Sequence, residues 1–211
     1  IGAAPAEYLI PFFGIVSFGI IYSLILVPIG VTGASNAANM LAGLNGLEAG
    51  LGSIIAATLL AISLLEGNIE SAIIAAAMLG ALLAFLRFNW FPAKIFGGDS
   101  LTLMIGASIA AIVIIGNMEK IGILLMALYF IELILKARHK FQVEGFGIPT
   151  KDGFLKPIPK SSSINHLIMG LGKFNEKQVV CIILGMQVIV SVAVFLIYYF
   201  RLFRRLWIDL E

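Results

Sequence analysis

Long apolar runs are the feature that most constrains the fold of this chain. Hydrophobic residues make up 60% of its 211 residues and charged residues only 12%, and the mean hydropathy is +1.04. Soluble domains carry about 25% charged residues, whereas a helix that crosses a bilayer needs about 20 consecutive apolar residues. The chain is therefore predicted to be an all-α, polytopic transmembrane helical bundle.

Six runs have the length of a membrane-spanning helix, at residues 8–31, 47–65, 70–86, 100–117, 119–136 and 178–200. The polar residues 66–68 and 117–120 separate neighbouring runs so briefly that only tight turns fit there. Alternation then places both turns on one side of the membrane, and residues 32–46, 87–99 and 137–177 on the other. We treat residues 1–211 as a single transmembrane domain, with 137–177 as a long loop between the last two spans.

The basic residues predict which side is cytoplasmic. Ten of the fourteen Lys and Arg residues fall on the side of the long loop: Arg87, Lys94, Lys136, Arg138, Lys140, Lys151, Lys156, Lys160, Lys173 and Lys177. This bias follows the positive-inside rule, although Arg201, Arg204 and Arg205 after the sixth run do not. The net charge of +2 is too small to indicate a nucleic-acid partner.

The long loop itself carries two local signals. The sequence Thr-Lys-Asp-Gly-Phe at residues 150–154 is typical of a hairpin with Asp-Gly at its tip. Residues 160–177 place Ile164, Leu167, Ile168 and Leu171 at helical spacing, which predicts a short amphipathic helix on the membrane surface. Glu132 lies inside the fifth run and is expected either to pair with a base or to reach the interface.

A polar cluster at residues 36–48 interrupts the apolar pattern between the first two runs. Asn36 and Asn39 are three residues apart and share a helical face. Gly43 lets the backbone turn or approach a ligand closely, and Asn45 offers both a donor and an acceptor. The alternative is a polar loop in which asparagines cap helices.

Asp99 forms the centre of a second cluster, Phe-Gly-Gly-Asp-Ser at residues 96–100. An acid at a membrane edge indicates a functional site unless something else accounts for it. Mg²⁺ takes one or two protein oxygens together with substrate phosphates, and Asp99 with an asparagine carbonyl fits that pattern. Phe96 is suited to stacking on a base or sugar. The alternative is that Asp99 caps the helix that begins near Ser100.

Arg138, His139 and Lys140 follow the fifth run directly. They are either anchors at the membrane interface or a clamp for a phosphate or sugar above the site.

These two clusters resemble the signature of the polyprenyl-phosphate N-acetylhexosamine-1-phosphate transferases. The resemblance rests on residues 36–50 and 88–100, in that order and at that separation. Bacterial members usually carry acids at the positions of Ala42 and Asn45 and a His-rich motif in the last cytoplasmic loop. This chain is more similar to the eukaryotic and archaeal UDP-GlcNAc:dolichyl-phosphate GlcNAc-1-phosphotransferases.

The resemblance implies an enzyme with about ten spans of the usual length, of which this chain would cover the C-terminal six. An acidic pair and a phosphate-binding lysine in the family's N-terminal spans have no counterpart here, so the chain alone is expected to be an incomplete catalyst. The reaction would move GlcNAc-1-phosphate from UDP-GlcNAc to polyprenyl or dolichyl phosphate and release UMP. It is the first step of lipid-linked oligosaccharide synthesis for protein glycosylation.

The resemblance also implies roles for individual residues. Asn39 and Asp99 would be catalytic and would hold Mg²⁺ against the pyrophosphate. The other residues would bind the nucleotide sugar: Asn36, Gly43, Asn45, Glu48 and Phe96 in the two clusters, and Arg138, His139 and Lys140 after the fifth span. The site is expected to face the cytoplasm, in an archaeal plasma membrane or, in a eukaryote, in the endoplasmic reticulum membrane. A homodimer is left open.

Two interpretations of other classes stay open at this point. A polytopic transporter or channel would also have polar segments between its spans. The chain could also be a non-catalytic subunit that needs a partner protein to supply the N-terminal spans. The identity of the sugar follows from the resemblance and not from pocket residues.

Overall fold

The computed structural model describes residues 8–10, 14–16, 19–142, 145–159 and 162–208. Its helices are α1 (Val27–Met40), α2 (Leu47–Leu65), α3 (Ile69–Asn89), α4 (Gly98–Ile115), α5 (Glu119–Leu125), α6 (Ala127–Arg138), α7 (Ile164–Leu171) and α8 (Glu176–Ile208). A π-helical turn, Tyr22–Leu26, precedes α1. Two small antiparallel hairpins pair β1 (Tyr8–Ile10) with β2 (Gly14–Val16), and β3 (Ile148–Pro149) with β4 (Leu155–Lys156).

The prediction of an all-α membrane bundle is confirmed. Among the described residues, four helices are long and apolar enough to cross a membrane: α2, α3, α4 and Glu176–Phe200 of α8. They coincide with the second, third, fourth and sixth predicted runs, with small differences at their ends. The chain is therefore a multi-pass membrane protein.

The first predicted span, at residues 8–31, is wrong in its bounds. Residues 8–10 and 14–16 pair as β-strands, and the helix begins at residue 20 and continues to Met40. Pro11 stands between the two strands in the sequence and lacks the amide hydrogen that a helix interior requires. Pro28 lies in the first turn of α1, directly after the π-helical turn, and prolines and π-turns are both known causes of helix kinks.

The fifth predicted span, at residues 119–136, is not one regular helix. It divides at Met126 into α5 and α6. The buried side chain of Gln187 on α8 donates a hydrogen bond of 3.0 Å from Nε2 to the carbonyl oxygen of Leu125. A side chain that inserts into the backbone hydrogen-bond ladder is a known cause of helix kinks. Hydropathy alone does not predict this contact between two helices.

Both predicted tight turns are present at the end of the bundle away from the polar clusters. Gly67 has a φ of +68° between α2 and α3, and the Asn68 side chain caps α3 by accepting a hydrogen bond from the Ser71 amide. Asn117 has a φ of +52° between α4 and α5. These turns make α2–α3 and α4–α5 antiparallel neighbours.

Helix α2 lies at the centre of the bundle and packs against α3, α4 and α8. Small residues permit close approach, as is usual where helices associate within a bilayer. At Gly106 on α4, a Cβ atom would overlap the backbone of Ala34 and Ser35 on α1. The α1–α4 crossing therefore depends on glycine, and it brings the ends of these two helices together.

The long loop contains the predicted Asp-Gly hairpin, with β3 and β4 on either side of residues 150–154. It also contains the predicted short helix, α7, whose apolar residues differ in how far other parts of the protein cover them. Ile164 and Ile168 are buried together with Met169, whereas Leu167 and Leu171 are 54% and 82% exposed. Helix α7 packs against α6, α8 and β4, so it belongs to the bundle. Lys160, where that prediction began, lies outside the described residues.

Candidate active site

A cleft of about 250 Å³ opens at the end of the bundle where the two polar clusters meet. Its walls come from the end of α1, the α1–α2 connection, the start of α2, the end of α3 and the segment after it, the start of α4, and the long loop. The lining residues are Asn39, Ala42, Gly43, Leu44, Asn45, Glu48, Asn89, Phe96, Gly97, Gly98, Asp99, Leu101, Thr102 and Phe146.

Six of the predicted site residues come together in this cleft. They are Asn39, Gly43, Asn45 and Glu48 from the first cluster, and Phe96 and Asp99 from the second. The two clusters are far apart in the chain, so their meeting is a property of the bundle.

Four predicted residues lie outside the lining. Asn36 is exposed one turn before Asn39, and its Nδ2 donates to the carbonyl oxygen of Thr32 in its own helix at 2.8 Å. Arg138 ends α6, followed by His139 and by Lys140, which has a φ of +53°. Arg138 and Lys140 are exposed, and His139 is partly exposed.

Asp99 is exposed in the first turn of α4. The residue at the cap position is Gly97, and no side chain caps this helix. The alternative that Asp99 serves as an N-cap therefore does not hold. A carboxylate in a first helical turn is stabilised by the positive end of the helix dipole, and here its oxygens stay available to the cleft.

Thr102 connects the two predicted metal-binding residues and was not singled out from the sequence. Its Oγ1 donates to Oδ1 of Asn39 at 2.8 Å and also lies 3.1 Å from the carbonyl oxygen of Asp99. Thr102 is buried, with 4% of its surface exposed. Its position one helical turn after Asp99 is the signal that would have found it. This hydroxyl orients the Asn39 amide toward the start of α4.

The backbone of residues 41–46 is shaped by two glycines with positive φ, +104° at Gly43 and +83° at Gly46. Only glycine adopts such values without strain. Gly46 is also the cap residue of α2, so that helix begins without a side-chain cap. The prediction that glycine lets the backbone turn at Gly43 is confirmed.

Three side chains from different helices accept the amide hydrogens of this loop. Glu48 accepts from Gly43 at 2.7 Å, Glu176 of α8 accepts from Asn45 at 2.7 Å, and Asn89 of α3 accepts from Gly46 at 3.1 Å. Because buried amides are costly when unpaired, these contacts hold the loop in one conformation. The roles of Glu176 and Asn89 were not foreseen from the sequence.

The carbonyl groups on the other side of the loop are also paired. Lys136 Nζ donates to the carbonyl oxygen of Met40 at 2.6 Å, and Asn165 Nδ2 donates to that of Ala42 at 3.2 Å. Lys136 also lies 3.6 Å from Oε1 of Glu132, which confirms the expectation that Glu132 pairs with a base. Oε2 of Glu132 accepts from the amide of Ile164 at 2.7 Å. Helices α6 and α7 are thereby joined to the site loop, residues 41–46.

Asn89 connects the first cluster to the residue just before the second, since its Nδ2 also donates to the carbonyl oxygen of Ile95 at 2.9 Å. Replacing Asn89 with alanine is expected to leave two backbone groups unpaired and to lower the free energy of unfolding by about 1–3 kcal/mol. SDS titration in mixed micelles measures this change. The control Asn36→Ala removes an exposed side chain and is expected to stay within about 0.5 kcal/mol of the wild type. Equal stability of both variants would contradict the bridging role.

The oxygen donors in the cleft fit a hard cation. Asp99 supplies a carboxylate and Asn39 an amide oxygen, the ligand types that Mg²⁺ prefers when substrate phosphates complete its coordination. Among the described residues, no group of three or more His, Cys, Asp or Glu side chains has the arrangement of a self-sufficient metal site. The donor set is thus suited to a cation that arrives with, or is completed by, a phosphate ligand.

Comparison with known proteins matches residues 3–117 to the family described as glycosyl transferase family 4. Two archaeal proteins are similar over most of the chain, and both are assigned by name as putative UDP-N-acetylglucosamine–dolichyl-phosphate N-acetylglucosaminephosphotransferases. The one from Saccharolobus solfataricus is 43% identical over 185 residues, which is 87% of this chain and 58% of that protein. The one from Sulfolobus acidocaldarius is 40% identical over 87% of this chain and 56% of that protein.

A bacterial relative is similar over a shorter stretch. The phospho-N-acetylmuramoyl-pentapeptide-transferase of Shouchella clausii is 43% identical over 111 residues, 53% of this chain and 34% of that protein. The chain thus spans a little over half the length of the archaeal relatives that it matches.

Proposed function

Because the chain belongs to glycosyl transferase family 4, we propose that it forms the nucleotide-sugar site of a membrane enzyme that transfers GlcNAc-1-phosphate from UDP-GlcNAc to a polyprenyl phosphate such as dolichyl phosphate. The observation that carries this proposal is the meeting of Asn39 and Asp99 in one cleft with Gly43, Asn45 and Phe96. That cleft combines donors for a cation–phosphate group with an aromatic ring and an amide suited to a nucleobase. The names of the two archaeal relatives supply the substrate class.

In this mechanism, a phosphate oxygen of the polyprenyl phosphate attacks the β-phosphorus of UDP-GlcNAc. The new P–O bond forms as the bond to the UMP oxygen breaks, and UMP leaves with that electron pair. Little covalent chemistry falls to the protein in phosphoryl transfer, so positioning and charge stabilisation dominate. When bound, Mg²⁺ would neutralise the charge that develops on the phosphates.

Different residues of the chain are proposed to bind the cation, the nucleobase and the sugar phosphate. Asp99 and Asn39 would hold the cation, with Thr102 orienting the Asn39 amide. Gly43, Asn45 and Phe96 receive the uracil end. The cleft of about 250 Å³ lies just below the usual range of small-molecule sites, about 300–1,000 Å³. It accommodates one end of the nucleotide sugar, and we propose that Arg138, His139 and Lys140, which lie outside its lining, contact the sugar and the β-phosphate.

The cleft is proposed to face the cytoplasm of an archaeal cell. By the predicted topology, ten of the fourteen basic residues fall on its side of the membrane, as the positive-inside rule requires of a cytoplasmic face. The two relatives whose names give this activity as putative come from archaea, and none of the named relatives is a transporter or channel.

An assay of UMP release tests the proposal. The full-length protein that carries this sequence, purified in detergent, is expected to release UMP from UDP-GlcNAc only when polyprenyl phosphate and Mg²⁺ are both present. Omission of the lipid separates transfer from hydrolysis, and UDP-glucose in place of UDP-GlcNAc tests the sugar. Absence of UMP release under every condition would refute the proposed reaction.

A further inference from the structure

The cleft contains a second aromatic side chain that neither sequence cluster supplies. Phe146 comes from the long loop after α6, and it lines the cleft together with Phe96. Both residues are exposed, Phe96 by 74% and Phe146 by 53%. An atom of the Phe146 ring lies 3.1 Å from the position that a Cβ on Gly43 would occupy. Phe146 therefore packs against the part of the loop that also carries Asn45.

Two side chains of α7 hold the backbone at and next to Phe146 in place. Asn165 Nδ2 donates to the carbonyl oxygen of Gly145 at 2.8 Å as well as to that of Ala42. The ring nitrogen Nε2 of His166 lies 2.7 Å from the carbonyl oxygen of Phe146. Both side chains belong to α7 and are buried, with 0% and 3% of their surface exposed.

The close contact at Gly145 has the same effect. A Cβ at this position would overlap the carbonyl oxygen of Ala42, so the two loops touch backbone to backbone. The polar contacts of Asn165 and His166 thus hold the Phe146 main chain against the site loop while leaving its ring open to the cleft. About half of the surface of Phe146 has no protein neighbour, so that part of the residue is open to a ligand in the cleft.

We infer that Phe146 is a second stacking residue for the nucleobase of the bound nucleotide, and that Asn165 and His166 are its positioning residues. The inference rests on the proposed function, since that function supplies the nucleotide. A planar base fits against an aromatic face in offset-stacked or edge-to-face geometry. Such stacking tolerates different bases, whereas the Asn45 amide supplies directional hydrogen bonds. The long loop would thereby contribute to affinity for the nucleotide and not to the lipid acceptor.

The test compares Phe146→Ala with Phe146→Tyr in the full-length protein. The dissociation constant of UMP, measured by titration calorimetry, is expected to rise about tenfold in Phe146→Ala, which is within the range for loss of one base–aromatic stack. In Phe146→Tyr it is expected to stay within about threefold, because the stacking face is kept. The KM for UDP-GlcNAc is expected to rise with the dissociation constant, whereas the KM for polyprenyl phosphate stays unchanged.

Two further variants separate stacking from general disturbance. Phe130→Ala removes an exposed aromatic ring of α6 that does not line the cleft, and it is expected to bind UMP as the wild type does. His166→Gln alone is expected to weaken UMP binding. Added to Phe146→Ala, it is expected to lower the UMP affinity no further, because the effects of residues that act through one another are not additive.

The outcomes distinguish this inference from the proposed function. If the wild type releases UMP but Phe146→Ala binds UMP normally, or loses affinity for polyprenyl phosphate instead, the stacking role is refuted and the reaction stands. If the wild type neither binds nor releases UMP, both are refuted.

Discussion

Replacing Asp99 with asparagine is expected to lower the rate of UMP release by roughly two to three orders of magnitude, the scale on which single preorganised electrostatic contacts contribute to catalysis. The substitution keeps the size of the side chain and one carbonyl oxygen but removes the negative charge that favours a divalent cation. Asp99 is exposed in the first turn of α4, and none of the hydrogen bonds that hold the amides of the site loop involves its carboxylate. The fold and the affinity for UMP are therefore expected to be largely retained.

Titration of Mg²⁺ tests whether Asp99 acts by binding the cation. The variant is expected to need a higher Mg²⁺ concentration for half-maximal UMP release than the wild type. Asp152→Asn serves as the matched control, because Asp152 is an exposed acid at the tip of the β3–β4 hairpin and does not line the cleft. Turnover that ignores both Mg²⁺ and the Asp99 substitution would overturn the assignment.

Replacing Lys136 with methionine is expected to lower the free energy of unfolding by about 3–5 kcal/mol, the usual cost of removing one partner of a buried ion pair. Lys136 is 9% exposed and Glu132 is 0% exposed. The substitution leaves the Glu132 carboxylate without its cation and the Met40 carbonyl without its donor. Because that carbonyl ends α1 immediately before the site loop, UMP affinity is expected to fall as well. SDS titration in mixed micelles measures the stability.

A double-mutant cycle tests the origin of this loss. Adding Glu132→Gln to Lys136→Met removes the uncompensated charge, and the combined loss is expected to be smaller than the sum of the single losses. Lys151→Met, at an exposed hairpin position, is the control for loss of a lysine alone and is expected to stay within about 0.5 kcal/mol of the wild type. Strictly additive effects, or a loss below about 1 kcal/mol in Lys136→Met, would show that the pair does not support the loop.

Much of the cleft could be predicted from the sequence because its polar residues stand out against an apolar background. Only 12% of the residues are charged, so a few polar residues stand out: Asn39, Asn45, Glu48 and Asp99. Polar and charged groups within a membrane are costly and usually have a function. The spacing of Asn36 and Asn39 predicted a helix at these residues, and both lie on α1. Asn36 shows the limit of this argument, because helical spacing aligned it with Asn39 and yet it lies outside the cleft lining.

The side chains that hold the site loop in place were harder to predict from the sequence, because each contacts a residue that is distant in the chain. Glu176 accepts from the amide of Asn45 across 131 positions, and Asn165 donates to Ala42 across 123. Such side chains satisfy backbone groups that a sequence pattern does not reveal. Phe146 is a similar case, because an isolated Phe in a loop carries no signal until the loop is packed against Gly43.

The sequence by itself determined that this chain lies in a membrane, the approximate positions of four of its helices, and which short segments carry the polar chemistry. Those properties follow from local composition, since about 20 apolar residues must cross the bilayer as a helix with its backbone satisfied internally. Only the tertiary structure decided that α5 and α6 divide at Met126, that α7 packs into the bundle, and that the long loop contributes Phe146 to the cleft. Each of these depends on hydrogen bonds or close packing between elements far apart in the chain, such as Gln187 with Leu125 and Asn165 with Gly145. Hydropathy does not predict such partners, because it depends on the type of each residue and not on the residues that it contacts in the fold.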